Sequence, residues 1–379
     1  MNMGPLKGLK VIEMAGIGPA PFCGMILADM GADVISVDKI TSAGRGSDSD
    51  ISSRGKKSIT VDIRKQEGQN IVKKLIKEAD ILIEGFRPGV MEKNNLGPDV
   101  LLKINKKLIY GRMTGWGQFG PLSNAAGHDI NYISLSGVLG AIGKKDEPPP
   151  PPLNLIGDFG GGGMLLALGI CAALNTVNKE GKGQVIDAAM TEGSALLMSM
   201  MYGMLNAGIW NDSRESNLLD GAAHFYGCYE CKDGKFVSIG SIEPQFYSLL
   251  REKMNLSEDI FDSQMDKKSW KNLRLNLETR FREKSRDEWC EIMEGTDICF
   301  APVLSMTEAI EHEHNKERES FFELNGIAQP SPAPKFSLTK NEVLNPPVKI
   351  GTNTREIIQS LNLEENFDEL ISNGIIAED

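Results

Sequence analysis

Histidine is scarce in this chain, with four among 379 residues, so any histidine chemistry must rest on very few positions. The six cysteines, Cys23, Cys171, Cys228, Cys231, Cys290 and Cys299, are scattered rather than arranged as a disulfide framework. That scatter fits a reducing compartment. Basic residues are not in excess: the net charge is −11, which leaves no overall field to hold nucleic acid. An anionic ligand would need a local basic patch instead. The amino-terminal MNMGPLKGLKVIEM has no charged region followed by a long apolar run, so no signal peptide is expected. The terminal Ala377-Glu378-Asp379 is not an S-K-L-type address, and the expectation is a cytoplasmic protein. The longest uncharged stretch, Gly193 to Trp210, contains Ser, Asn, Tyr and glycines, and reads as a buried or interface helix rather than a membrane span. No internal repeat or low-complexity tail is present. What remains is an ordinary globular composition, 41% hydrophobic and 25% charged, in a chain long enough for two cores.

The amino-terminal third alternates strand and helix patterns. Leu9–Met14, Asp33–Asp38, Ser58–Ile63, Asp80–Glu84 and Leu108–Met113 read as strands. Helices are expected over Pro21–Met30, ended by Gly31, and over Gln66–Glu78. Strands separated by helices of this length imply a parallel α/β sheet. Pro148 to Pro152 form a stiff extended connector. Gly157–Asn175 reads as a glycine-rich loop feeding a buried helix. From about Asp220 the texture changes to short strands, such as Gly234–Gly240, and charged helices through Ile292, a smaller α+β domain. Gly351–Leu361 reads as a capped helix start.

Several short motifs carry chemistry or could. The loop Gly16-Ile17-Gly18-Pro19-Ala20-Pro21 follows a strand, and Asp38 ends the next one, close to a dinucleotide fingerprint. Pro21 replaces the third glycine, and the prolines remove N–H donors a pyrophosphate would need, so a nicotinamide site is disfavoured. Lys39, Arg45, Arg54, Lys56 and Lys57 cluster after the second strand, and Arg87 and Lys93 after another. Ligands of open α/β sheets sit beyond the carboxyl ends of strands, so these cations converge where an anionic nucleotide would dock; a solvated surface is the alternative. His128, in Gly127-His128-Asp129-Ile130-Asn131-Tyr132, stands beside an acid at the start of an apolar helix. A structural histidine and a functional one both remain open there. His312 and His314 lie in the charged run EHEHNKERE, and His224 in a strand-like run. Asp158, in Asn154-Leu155-Ile156-Gly157-Asp158-Phe159 before four glycines, is placed at a helix N-terminus, as a cap or as a charge held near open N–H groups. No G-K-[ST] follows, so a Walker loop is excluded. Cys228 and Cys231 form an isolated C-x-x-C that reads as strand residues, not a zinc site. Met190, Met198, Met200, Met201 and Met204 fit either a core or an adaptable apolar surface.

Taken together, GHDINY, NLIGDFGGG, FRPGV and IEPQFY resemble the family III CoA-transferase superfamily and, within it, the α-methylacyl-CoA racemase branch. The likeness runs from PLKGLKVIEMAGIGPAPF to NTREII, nearly the whole chain. It implies a large Rossmann-like CoA-binding domain over 1–188 and 317–379, linker helices over 189–219 and a small α+β domain over 220–316. It also implies an interlocked homodimer, with the active site between the large domain of one subunit and the small domain of the other. The matching catalytic positions are His128, Asp158 and Glu243, the last supporting the histidine, with Asp129, Asn154 and Gly157 around them. CoA contacts carry over to Ile17, Lys39, Val61, Ile63, Gly85, Arg87 and Lys93, and an acyl-binding surface to Met190, Met198, Met201 and Met204. Lys39 stands where relatives often have arginine, which keeps the charge and loses the flat fork. In the transferases the aspartate is a nucleophile that forms a mixed anhydride and then an aspartyl-CoA thioester, usually without histidine at the position of His128. The histidine therefore tilts the reading toward interconversion of (2R)- and (2S)-2-methylacyl-CoA, with no cofactor beyond the CoA of the substrate. No nucleic acid and no membrane span are expected.

Racemisation next to a carbonyl removes a proton from one face of a carbon and returns one to the other, which calls for two acid/base groups flanking it. A histidine and a carboxylate suit this near neutral pH. The enolate oxygen needs donors, for which the N–H groups around Gly157–Gly160 are the candidates. The rival readings are a CoA transferase using Asp158 covalently, a CoA-binding protein without catalysis, and a nicotinamide dehydrogenase.

Overall fold

A computed structural model of the protein describes residues 4–257, 259–341, 343 and 345–379. It divides the chain into two units. The first comprises Met1–Ser136, Pro152–Leu197 and Phe321–Asp379, and the second Gly137–Pro151 and Met198–Ser320.

The first unit is built on six parallel strands: β1 (Lys10–Met14), β2 (Asp33–Asp38), β3 (Lys56–Thr60), β4 (Ile81–Glu84), β5 (Ile109–Thr114) and β6 (Val185–Ala189). Their order is β3-β2-β1-β4-β5-β6. The central strands carry near-continuous apolar runs because both faces are covered. Helix α1 (Pro19–Asp29) follows β1, and α2 (Gln66–Glu78) follows β3. In α2, Ile71, Val72, Leu75 and Ile76 fall on one face and are buried on the sheet, while its lysines face water. Further along come α3 (Val90–Lys93), α4 (Pro98–Ile104) and α5 (Asp129–Leu135). The carboxyl end returns to this unit: Thr60 Oγ1 donates to the Ala377 carbonyl and accepts from the Ala377 N–H, beside the edge strand β3.

The parallel α/β reading holds, with two physical differences. The third strand starts at Lys56, two residues before the expected Ser58, because the Lys56 side chain is buried and bonded to Glu13 of β1. Val61 and Ile63 therefore lie past the strand's end. The Gly157 region is not a loop. Leu155–Met164 is a π-helical stretch that runs directly into α6 (Leu165–Glu180). Its glycines permit close packing on α1 and on α7 (Met190–Leu197). A Cβ at Gly193 would sit 1.9 Å from the Gly161 carbonyl oxygen, and one at Gly163 would sit 2.7 Å from the Pro19 carbonyl oxygen. Phe159 seats against Phe22 of α1, ring centroids 4.7 Å apart. Among the described residues, Leu155–Glu180 is the one helical run long and apolar enough to cross a membrane, and 39% of its most apolar window is buried in the protein.

The second unit has a three-stranded antiparallel sheet, Tyr226–Glu230, Phe236–Gly240 and Phe300–Val303, flanked by helices Pro244–Met254, Trp270–Phe281 and Arg286–Met293. Phe225, Tyr229, Leu250, Leu277, Phe281 and Met293 are among its buried core. His224 is buried here, its Nε2 2.7 Å from the Tyr247 hydroxyl, and burial lowers its pKa to about 4. It is a core histidine.

Candidate functional site

The strand order reverses between β1 and β4, and in such sheets the crevice beyond the carboxyl ends of the strands is where ligands bind. The loop after β1, Ala15 to Gly18, and the loop after β4, Gly85 to Pro88, face each other there and line a cleft of about 750 Å³. Met113 and Thr114 at the end of β5, Trp116, Gly127, His128, Asn131, Tyr132, Asp158 and Met190 complete it. A second cavity of about 480 Å³ shares Ala15, Lys39 and Phe86 with the first. Its walls are largely apolar, including Met14, Val37, Ile40, Val61 and Ile63, with Lys39, Arg64 and Lys93 in its lining. The two cavities form an elongated site, acid/base groups at one end and an apolar slot with cations at the other.

His128 is exposed and caps α5; its backbone N–H donates to Asn131 Oδ1 at 3.0 Å. Tyr132 braces the turn before it, its hydroxyl donating to the Gly127 carbonyl and its ring edge-on to Trp116. Asp158 is half-buried. Asn154 Nδ2 donates to its Oδ2 at 3.2 Å, and its own backbone N–H donates to Asp129 Oδ1 at 2.7 Å. Burial pushes the Asp158 carboxyl above the usual aspartate range. The Asn154 hydrogen bond pulls it back, the charge of Asp129 adds to the rise, and His128 opposes it. Asp129 is itself buried, with Oδ2 lacking a hydrogen-bond partner. Two glycines make room for these carboxylates. A Cβ at Gly157 would fall 2.5 Å from Asp129 Oδ1, and one at Gly18, where φ is +78°, would fall 3.2 Å from Asp158 Oδ2. The chemistry available is proton exchange or nucleophilic attack by a carboxylate that shares its cleft with an imidazole. Among the described residues no group of three or more His, Cys, Asp or Glu side chains could hold a metal ion.

The profile of CoA-transferase family III matches residues 6–354. The chain belongs to CoA-transferase family III. It is 43% identical to the α-methylacyl-CoA racemase of Mus musculus, over 99% of this chain and 98% of the mouse protein. It is 44% identical to the α-methylacyl-CoA racemase of Homo sapiens, over 98% and 97% respectively. The crystal structure of a CaiB/BaiF family protein from Brucella suis superposes with a TM-score of 0.82 at 26% identity, covering 94% of this chain and 99% of that one.

Within this family III chain the sequence-derived positions distribute as follows. His128, Asp158 and Met190 line the cleft, while Asn154, Asp129 and Gly157 support Asp158 from behind. Ile17, Gly85 and Arg87 line the cleft, Val61, Ile63 and Lys93 the second cavity, and Lys39 both. Glu243 lies in the second unit, preceding helix Pro244–Met254, and Met198, Met201 and Met204 belong to that unit as well.

Two expectations are corrected. Asp158 lies in the first turn of a helix but is not its cap: Asn154 holds the N-cap position, Asp158 is the fourth residue of the π-helical stretch, and its own N–H is taken by Asp129. That N–H is thereby removed from the candidate oxyanion donors. Of the cation cluster after β2, Lys39 lines both cavities, while Arg54, Lys56 and Lys57 are taken up by carboxylates. Arg54 is buried against Asp29 at 2.6 Å, Lys56 is buried against Glu13 at 2.8 Å, and Lys57 pairs with Glu356 at 2.8 Å. Lys39, Arg64, Arg87 and Lys93 are the cations that line the cavities, Arg64 paired with Asp62 at 2.8 Å. Cys228 lies on a strand and Cys231 just beyond it, both as free thiols. Sequence reading missed Phe86, Trp116, Asn131 and Tyr132 as lining residues. Tyr132 carried a faint signal, four residues after His128 and so one helical turn away.

Proposed function

We propose that this chain interconverts (2R)- and (2S)-2-methylacyl-CoA thioesters, using His128 and Asp158 as the two proton-transfer groups. The observation that carries the reading is that an imidazole and a carboxylate of raised proton affinity line one cleft, which continues into an apolar slot edged by lysines. The slot suits the adenine and phosphates of CoA, and the cleft the thioester and its α-carbon.

One group takes the α-proton while the other, protonated, delivers one to the opposite face. The raised pKa of Asp158 brings a carboxylate nearer to an imidazole in proton affinity, so that either group can act as acid or base. Activity that needs ionised Asp158 falls as pH drops through a value above the ordinary aspartate range. The developing enolate oxygen needs a donor. The first-turn N–H groups of α5, at Asp129 and Ile130, serve in place of Asp158, since a helix leaves its first N–H groups without intrahelical partners. Glu243, from the small domain of a second copy, orients His128. Exposed Leu135, Leu155, Met164, Leu168, Leu196 and Leu197 of the first unit call for an apolar partner surface, which an interlocked homodimer supplies. The methionines Met190, Met198, Met201 and Met204 receive the acyl chain.

In heavy water with no acyl acceptor, deuterium enters the α-position of either epimer, read by mass spectrometry. Absence of exchange, together with an enzyme-bound acyl group trapped by hydroxylamine, would indicate the transferase chemistry instead.

A further inference from the structure

Arg112 lies on β5, directly across from Glu84 of β4 in the sheet register, and both side chains are buried where the central strands end. Its Nε donates to Glu84 Oε1 at 2.8 Å, and Nη1 donates to Glu92 Oε1 at 2.8 Å, with Nη2 to Oε2 at 3.3 Å. Glu84 Oε2 in turn accepts the Phe86 N–H at 2.8 Å. The Glu84–Arg112 pair, buried between two adjacent parallel strands, is costly to desolvate, and a buried pair of this kind is weak evidence for net stability. Together with Glu92, the pair fixes the segment between β4 and α4. One end is held through Phe86 and the other through Glu92 on α3. That segment presents Phe86 and Arg87 to the cleft and Lys93 to the apolar slot.

We propose that the Glu84–Arg112–Glu92 triad is a positioning device for the CoA-binding segment, with Arg112 setting where Arg87 and Lys93 meet the nucleotide phosphates. The inference rests on the CoA reading of the two cavities and adds residues that touch no substrate. Arg112 acts through Glu92, one residue before Lys93, and through Glu84, which holds the turn into Arg87. Its guanidinium joins the two ends of the segment, because its planar fork addresses both carboxylates at once. The reacting carbon lies at the other end of the site, so the triad affects binding of the nucleotide and not the proton transfer.

The test compares two thioesters of the same 2-methylacyl group, one of CoA and one of pantetheine, which lacks the nucleotide. Glu92 is partly exposed, so Glu92→Gln is the first variant; Arg112→Lys, which keeps the charge facing Glu84 but cannot span both carboxylates, is the second. KM for the CoA thioester rises about three- to fivefold in Glu92→Gln, and more in Arg112→Lys, with kcat within about twofold of wild type. For the pantetheine thioester, kcat/KM is unchanged in both variants. An unchanged KM for the CoA thioester, or an equal loss on both substrates, overturns the positioning role. Wild-type enzyme with the same kcat/KM on the two thioesters overturns the CoA reading of the slot itself, and the proposal with it.

Discussion

His128→Ala and Asp158→Asn each lower the racemisation rate by about 10²–10⁴-fold, the contribution of one positioned acid/base group. The two losses are far from additive, because removing either member breaks the same two-sided transfer. His128 is exposed, and its backbone N–H keeps the hydrogen bond to Asn131 Oδ1 whatever the side chain, so the alanine variant keeps its fold. Asp158→Asn keeps the size of the side chain and the backbone N–H that Asp129 accepts. Circular dichroism and melting temperature close to wild type, with α-proton exchange lost, is the expected result. A folded variant that exchanges the proton at the wild-type rate removes that residue from the mechanism.

Lys56→Met destabilises the protein by about 3–5 kcal/mol, the typical cost of stripping one partner from a buried ion pair. Lys56 and Glu13 are each 3% exposed, the ammonium bonds both carboxylate oxygens, and it also donates to the Pro21 carbonyl at 2.8 Å. The pair fastens β3 to β1 and to the start of α1, behind the Gly16-Ile17-Gly18 loop. A Cβ at Gly24 would fall 1.7 Å from Glu13 Oε2, so α1 packs directly over the carboxylate and leaves little room for water to replace the lysine. Burial already pushes the Glu13 carboxyl up, and Lys56 is what opposes the rise. Without Lys56 the folded-state pKa rises further above the unfolded one. The folded protein then binds the proton more tightly, and stability is lost as pH rises from the ordinary glutamate range toward that raised value. Denaturant melts at pH 5 and pH 8 therefore show the larger deficit at pH 8. A variant as stable as wild type at both pH values contradicts the account of the pair.

The architecture was legible because the strands of the first unit are apolar runs spaced by helix-length segments, and Gln66–Glu78 carries an unbroken amphipathic period. The pair His128 and Asp158 was visible through motif resemblance, not through residue pattern, since one lone histidine and one aspartate before glycines each have a structural alternative. What escaped was long-range. Nothing local tells that Lys56 and Arg54 turn inward, because their partners Glu13 and Asp29 lie 43 and 25 residues away. The π-helical turn escaped because glycines in sequence signal a loop; here they are small so that α1, α7 and the Asp158 segment can meet backbone to backbone. Trp116 was invisible as a site residue, because an aromatic after a strand reads as core, and Tyr132 offered only its spacing of one helical turn from His128.

The central claim is that one enzyme, alone, moves the α-proton between faces of a 2-methylacyl-CoA. Purified protein incubated with (2R)-2-methylacyl-CoA and no second acyl acceptor, followed by chiral analysis of the thioester, tests it most directly. The account predicts drift from pure (2R) toward a mixture of both epimers, with total thioester conserved. A product that stays (2R), with CoA moving to a carboxylic acid only when one is added, would contradict it.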